Sequence, residues 1–136
     1  IIRLDRAILE YPNYANFYYL RASCNYEMKL YEEAINDIDK AYRLNPNLFH
    51  NNPSYYKNRA VFLASLENYY DSILYFDEAI SMDPSDVQSI VLRGLSKYYL
   101  DDIFGACSDW KKAKDFEDEV FEVYKLVEEL FARYCN

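Results

Sequence analysis

Prolines set the rhythm of this chain. Pro12 and Pro46 stand 34 residues apart, Pro84 follows 38 residues later, and Asp118 falls another 34 beyond that. A proline lacks an N–H and fixes φ, so a helix that meets one stops there. Between the stops the same small and bulky residues return. The first interval carries Ala22, then Ala34, Ile38 and Ala41; the second carries Ala60, then Ser72, Phe76 and Ala79; the third carries Gly94, then Ala106, Trp110 and Ala113. Within each interval the later residues follow helical spacing, which describes two amphipathic faces that meet. A unit of this size cannot bury its apolar face alone, so a fixed period implies an array whose members lean on their neighbours.

Half of the residues are apolar, yet only two are glycine and four proline, which predicts helices joined by short connections rather than strands and turns. The expected class is all-α. Residues 1–14 read as the second helix of a truncated repeat, with Leu4, Ala7, Ile8 and Tyr11 on one face. Residues 15–48, 53–86 and 87–118 read as three repeats, with helices over 15–29 and 31–44 in the first. Residues 49–52 form an insertion, and 119–136 a closing helix with Val120, Tyr124, Val127, Phe131 and Tyr134 along one stripe. Asn52 is placed to cap the helix that begins at Pro53. Ser85-Asp86-Val87-Gln88 has the pattern of a capping box for the next. Ile1 is not a start methionine, so the numbered chain is expected to begin inside a longer protein.

The formal net charge is −8, spread without a basic stripe, a field that repels nucleic acid and anionic membranes. No apolar run is long enough to cross a bilayer. Neither nucleic acid nor membrane is therefore an expected partner. His50 stands alone in a polar loop with no second ligand type beside it, so no metal is expected. Glu32-Glu33, Asp101-Asp102 and Glu128-Glu129 are adjacent in sequence and point apart on a helix, which does not suit acid–base catalysis. No phosphate-cradling glycine loop and no nucleophile elbow occur. The sequence thus predicts no enzyme and no cofactor. Cys24, Cys107 and Cys135 are an odd, scattered set rather than a disulfide framework. Cys24 reads as a small core filler. Cys107 and Cys135 can pair only if the last helix folds back on its predecessor, and the sequence leaves that open.

Arg21, Arg59 and Arg93 each precede the small residue of a first helix, while Asp37 and Asp109 lie on the opposing helices of the first and third units. Pairs Arg21–Asp37 and Arg93–Asp109 across the seam are expected to fix register. The alternative, three guanidinium groups binding an acidic ligand, requires them to leave that seam.

The 34-residue helical pair, with Ala22, Ala60 and Gly94 at the close approach and Ile38, Phe76 and Trp110 opposite, resembles the tetratricopeptide repeat family over nearly the whole chain. The stretch from Cys107 to Cys135 resembles the ending of many bacterial members, which would put this array at the C-terminal part of a longer one and Asn136 near a native terminus. The resemblance implies a right-handed superhelical solenoid whose first helices line a concave groove for a peptide or partner helix. Carried over by position, the groove presents Asn16, Tyr19, Ser23, Tyr26 and Glu27 from the first repeat. The second adds Ser54, Lys57, Asn58, Val61 and Ser65, and the third Gln88, Val91, Leu92, Leu95, Tyr98 and Tyr99. Members that hold acidic chaperone tails use lysine, asparagine and arginine here. In this chain Tyr19, Ser23, Gln88 and Leu92 fill those places and only Asn58 fits, so an apolar or aromatic peptide suits the lining better. The rival reading is a structural segment that self-associates through the N-terminal helix.

Overall fold

The computed structural model describes residues 1–116 and 121–136, and the side chains of the last helix from Lys125 onward. Within them the chain forms α1 (Ile2–Glu10), α2 (Ala15–Glu27), α3 (Tyr31–Leu44), a short α4 (Pro46–Phe49), α5 (Pro53–Ser65), α6 (Tyr69–Met82), α7 (Val87–Tyr99), α8 (Ile103–Lys114) and α9 (Phe121–Tyr134). The fold is all-helical. Helix α2 packs on α3, α5 on α6 and α7 on α8; α3 then meets α5, α6 meets α7, and α9 closes on α8. The antiparallel pairs stack into a solenoid. Asp118 and the side chains of Val120 and Tyr124, assigned to the closing segment above, lie outside the described residues.

Each pair turns through the same backbone device. Lys29, Glu67 and Asp101 adopt left-handed φ values of 62°, 60° and 62° just past the first helix. In each turn the next N–H reaches back five residues: Leu30 to Asn25 at 2.9 Å, Asn68 to Leu63 at 3.0 Å and Asp102 to Lys97 at 3.0 Å. This is the Schellman closure, which satisfies carbonyls that a helix end leaves open. It usually takes glycine, so these charged residues gave no turn signal, and α2 ends two residues before the expected Lys29.

The caps differ in one place. Asn52 accepts from the Ser54 N–H at 3.0 Å, as its position before Pro53 implies. At α7 the cap is Asp86 rather than Ser85. The Asp86 carboxylate accepts from the Ser89 N–H at 3.4 Å and its hydroxyl at 2.7 Å, while Ser85 turns back to Asp83. Asp86 also holds Lys57 of α5 at 3.1 Å, tying one pair to the next. Burial pushes the Asp86 carboxyl up, but hydrogen bonds from Ser89 and Lys57 outweigh it and hold the pKa below the ordinary carboxylate range. A depressed folded-state pKa stabilises the fold fully above the unfolded value of about 4. That contribution is lost as pH falls through the folded value. The Asp86→Asn variant is therefore expected to be less stable than wild type at neutral pH, with the gap closing below about pH 4. Urea midpoints measured across that range check it.

Among the described residues the core includes one apolar cluster around Tyr18, Ala22, Ile38 and Phe49 and another around Val91, Ala106, Trp110 and Val127, with Ala60, Phe76 and Ala79 buried in the middle repeat. Phe49 is the surprise of the insertion. It is buried at the end of α4 and packs 5.1 Å from the Tyr55 ring, centroid to centroid, so residues 46–49 plug a gap between repeats. Gly94 is required by Trp110: a Cβ there would lie 2.5 Å from the indole Nε1, whose N–H donates to the Val91 carbonyl at 3.3 Å. Where Ile38 or Phe76 stands opposite, alanine suffices, as Ala22 and Ala60 show. Cys24 is half-buried and free, not a core filler. Tyr11 falls just beyond α1 and is exposed, so the apolar face of that helix reaches the core through Ile8.

The seam pairs form. Arg21 Nε and Nη2 donate to the two Asp37 oxygens at 2.7 Å each, and Asn25 adds a third donor at 3.0 Å. Arg93 does the same with Asp109 at 2.9 and 2.6 Å. Cys107 and Cys135 are joined as a disulfide, with Cα atoms 5.5 Å apart. The last helix does fold back on α8.

Candidate functional site

The first helices α2, α5 and α7 lie side by side, and their shared face brings together six of the residues expected to line a groove, Tyr26, Val61, Ser65, Leu92, Leu95 and Tyr99. Tyr26, Val61, Leu95 and Tyr99 surround an open pocket of about 280 Å³, with Leu92, Ala64 and Tyr69 completing its walls and Phe76 at its floor. Tyr26 stacks on Phe62 at 4.8 Å between centroids, which fixes one wall. Tyr99 stacks on Tyr69 at 4.8 Å and 14°, which fixes the other. Ser96 also lines the pocket, and its hydroxyl and that of the buried Ser72 satisfy each other at 3.2 Å. The pocket is thus mainly apolar.

The remaining expected residues divide by what they touch. Tyr19 accepts from Asn58 Nδ2 at 2.9 Å and packs on Phe49. Burial raises the Tyr19 hydroxyl pKa and the bond from Asn58 offsets part of that rise. Both side chains therefore bind each other across α2 and α5. Lys57 is engaged by Asp86. Ser23 donates to the Tyr19 carbonyl at 3.5 Å, Asn16 is half-buried, and Glu27 and Gln88 are exposed.

One placement is a correction. Val91 is 2% exposed and belongs to the core beside Trp110, because the turn of α7 that carries it faces α8 instead of the groove. Tyr98 is half-buried, its ring 4.6 Å from Tyr134 of α9 and 6.3 Å from Trp110, so it is shared between α7's open side and the closing helix. Conversely, Tyr69 enters the pocket from a second helix, where helical spacing alone assigns it to the seam. Its hydroxyl pKa is raised by packing and then by the negative charge of Glu67 beside it.

Among the described residues no group of three His, Cys, Asp or Glu side chains could hold a metal ion, and no helix is long and apolar enough to cross a membrane. A stack of helix pairs that leaves one lined face open is a helical-repeat scaffold. Residues 15–48 and 53–86 each match a tetratricopeptide repeat model, together half of the chain, and the chain belongs to the tetratricopeptide repeat family. The family is one of protein-interaction modules, not enzymes. No curated protein sequence matches this one.

Solved structures share the fold at low identity. The first tetratricopeptide domain of Spaghetti bound to the HSP90 peptide SRMEEVD is 19% identical over 90% of this chain and 94% of its own, with a TM-score of 0.72. The TPR2B domain of yeast Sti1 in complex with pHsp70 is 18% identical over 89% of this chain and 95% of its own, at 0.75. The Yersinia enterocolitica type III secretion chaperone SycD, in complex with a peptide of the translocator YopD, is 15% identical over 87% and 89%, also at 0.75.

Proposed function

We propose that the groove of α2, α5 and α7 binds an extended peptide or helix of another protein, anchored by one bulky apolar side chain in the pocket between Tyr26, Val61, Leu95 and Tyr99. The pocket itself carries this reading: it is concave, apolar and walled by paired aromatics, and stacked tyrosines lose little freedom when a ligand seats against them. The solved structures of the Spaghetti domain and of SycD, similar to this chain in fold, each hold a bound peptide, which supports the reading. The acidic sequence SRMEEVD is not the model for this ligand. Lys57 is engaged by Asp86, Tyr19 and Leu92 stand where cationic or amide groups would be needed, and a chain of net charge −8 with Glu67 at the pocket favours basic residues flanking the anchor.

Peptides selected from a displayed library should therefore share an aromatic or large aliphatic residue beside Lys or Arg. The Tyr99→Ala variant, altered at a side chain that is 58% exposed, should fold normally and weaken binding about tenfold or more by calorimetry. Unchanged affinity in that variant, or selection of acidic peptides, contradicts the proposal. A second reading has its own observation. Ile2 and Leu9 of α1 are 81% and 85% exposed, an apolar edge on which the array could self-associate. Sedimentation showing a concentration-dependent dimer with no peptide binding would favour it.

A further inference from the structure

The three seam arginines meet different ends. Arg21 and Arg93 each present the Nε–Nη2 edge to a carboxylate sixteen residues later, Asp37 or Asp109, and give Nη1 to a carboxylate sixteen residues earlier, Asp5 or Asp77, at 2.8 Å in both cases. In the middle repeat the earlier partner survives only as an ion pair: Arg59 Nη1 stands against Asp39 on α3, displaced by the four extra residues between the repeats, but like Nε it makes no hydrogen bond among the described residues. The later partner does not survive. Sixteen residues after Arg59 stands Tyr75, whose ring lies 4.8 Å from the guanidinium carbon. A ring face attracts the cation but takes no hydrogen bond from its edge. Arg59 Nε is buried without an acceptor among the described residues. A buried donor left unmade is costly, and Nε, the arm of the fork that meets a carboxylate in both neighbouring repeats, meets no acceptor here.

Beside that fork, between α3, α5 and α6, lies an open pocket of about 240 Å³ lined by Asp39, Tyr42, Arg43, Tyr55, Tyr56 and Tyr75 together with Arg59. Two guanidinium groups in the lining face a single carboxylate, and that carboxylate is already paired. We propose that this pocket binds a carboxylate supplied by a ligand, seated on the Nε–Nη2 edge of Arg59 as Asp37 and Asp109 are seated in the neighbouring repeats. Tyr75, half-buried and with no hydrogen bond on its hydroxyl among the described residues, is the side chain that yields. Burial and the surrounding tyrosines raise the Tyr55 hydroxyl pKa, so it remains a donor toward an anion instead of a competing charge. The tyrosine walls suit a carboxylate carried on a flat body. The site lies apart from the groove of α2, α5 and α7 and does not depend on what that groove binds.

The test follows the side-chain Nε–Hε resonances of isotope-labelled protein by NMR while acetate, benzoate and inorganic phosphate are added. The expected result is a saturable shift of Arg59 with unmoved Arg21 and Arg93, and benzoate binding more tightly than acetate or phosphate. A short peptide ending in a free phenylalanine carboxylate, set against its amide, separates a chain terminus from a small organic acid as the source. Tyr75→Asp places a carboxylate in the site from within and should weaken benzoate about tenfold or more. Arg59→Lys, which keeps the charge but has no fork, should lose it as well. The inference is overturned by no saturable shift at tens of millimolar, by phosphate binding as well as benzoate, or by undiminished binding in Tyr75→Asp.

Discussion

Replacing Asp109 by alanine should cost about 3–5 kcal/mol, the range for breaking a buried ion pair from one side. Asp109 is 1% exposed and receives Nε and Nη2 of Arg93 and, at 3.0 Å, Nζ of Lys97. Two cations from α7 thus converge on one carboxylate of α8. Without it Lys97 and the Nε–Nη2 edge of Arg93 lose their buried acceptor, and Arg93 keeps only the half-exposed Asp77 at Nη1. The loss comes from these stranded charges and not from the net worth of the pair, which a well-packed apolar substitute could match. Asp77 offers the control, since it meets the same arginine through Nη1 but is half-exposed. Its alanine variant should lose no more than about 1 kcal/mol. Urea unfolding distinguishes them: a large drop in midpoint at constant slope for Asp109→Ala, and a small one for Asp77→Ala.

The Cys135→Ser variant should lose about 3–4 kcal/mol, the loop-closure value for cysteines 28 residues apart. The bridge links α8 to the end of α9, so its chief effect is on how far the closing segment can wander once unfolded. The folded seam has other supports. Val127 is buried against the Trp110 cluster, Leu130, Phe131 and Tyr134 pack beside it, and Lys114 pairs with Glu128 at 3.2 Å. The variant should therefore unfold in a single transition at a lower denaturant concentration, with α9 still docked before the midpoint. Reductant should shift the wild type by the same amount and leave the variant unmoved. A reductant effect on the variant, or none on the wild type, would contradict this role.

Much of the scaffold was readable because it depends on period. The helix pairs follow from recurring small and bulky residues, and the Arg21–Asp37 and Arg93–Asp109 pairs from a constant offset of sixteen. What escaped depends on which neighbour covers a given face. The family resemblance places Val91 and Tyr98 on the open side of α7, but Val91 is buried beside Trp110 of α8 and Tyr98 packs in part against Tyr134 of α9. Tyr69 joins the pocket because Tyr99 needs a stacking partner, a relation between two chain segments that no single helix pattern encodes. Phe49 looked like part of a polar insertion because three of its four residues are polar, yet one aromatic side chain fills the space that the extra length opens. The Schellman turns were hidden because Lys29, Glu67 and Asp101 take a conformation normally reserved for glycine. Arg59 escaped for the opposite reason: the repeat predicts a partner at position 75, and the sequence supplies tyrosine.

The most direct test of the binding role maps a library-selected aromatic peptide onto the isotope-labelled protein by chemical-shift changes. The side chains of Tyr26, Val61, Leu95 and Tyr99 should move together and saturate with one affinity, while α1 and the outer face of α6 stay still. Shifts confined to α1, or a saturating peptide that leaves those four residues unmoved, would show that the groove is not where this protein meets its partner.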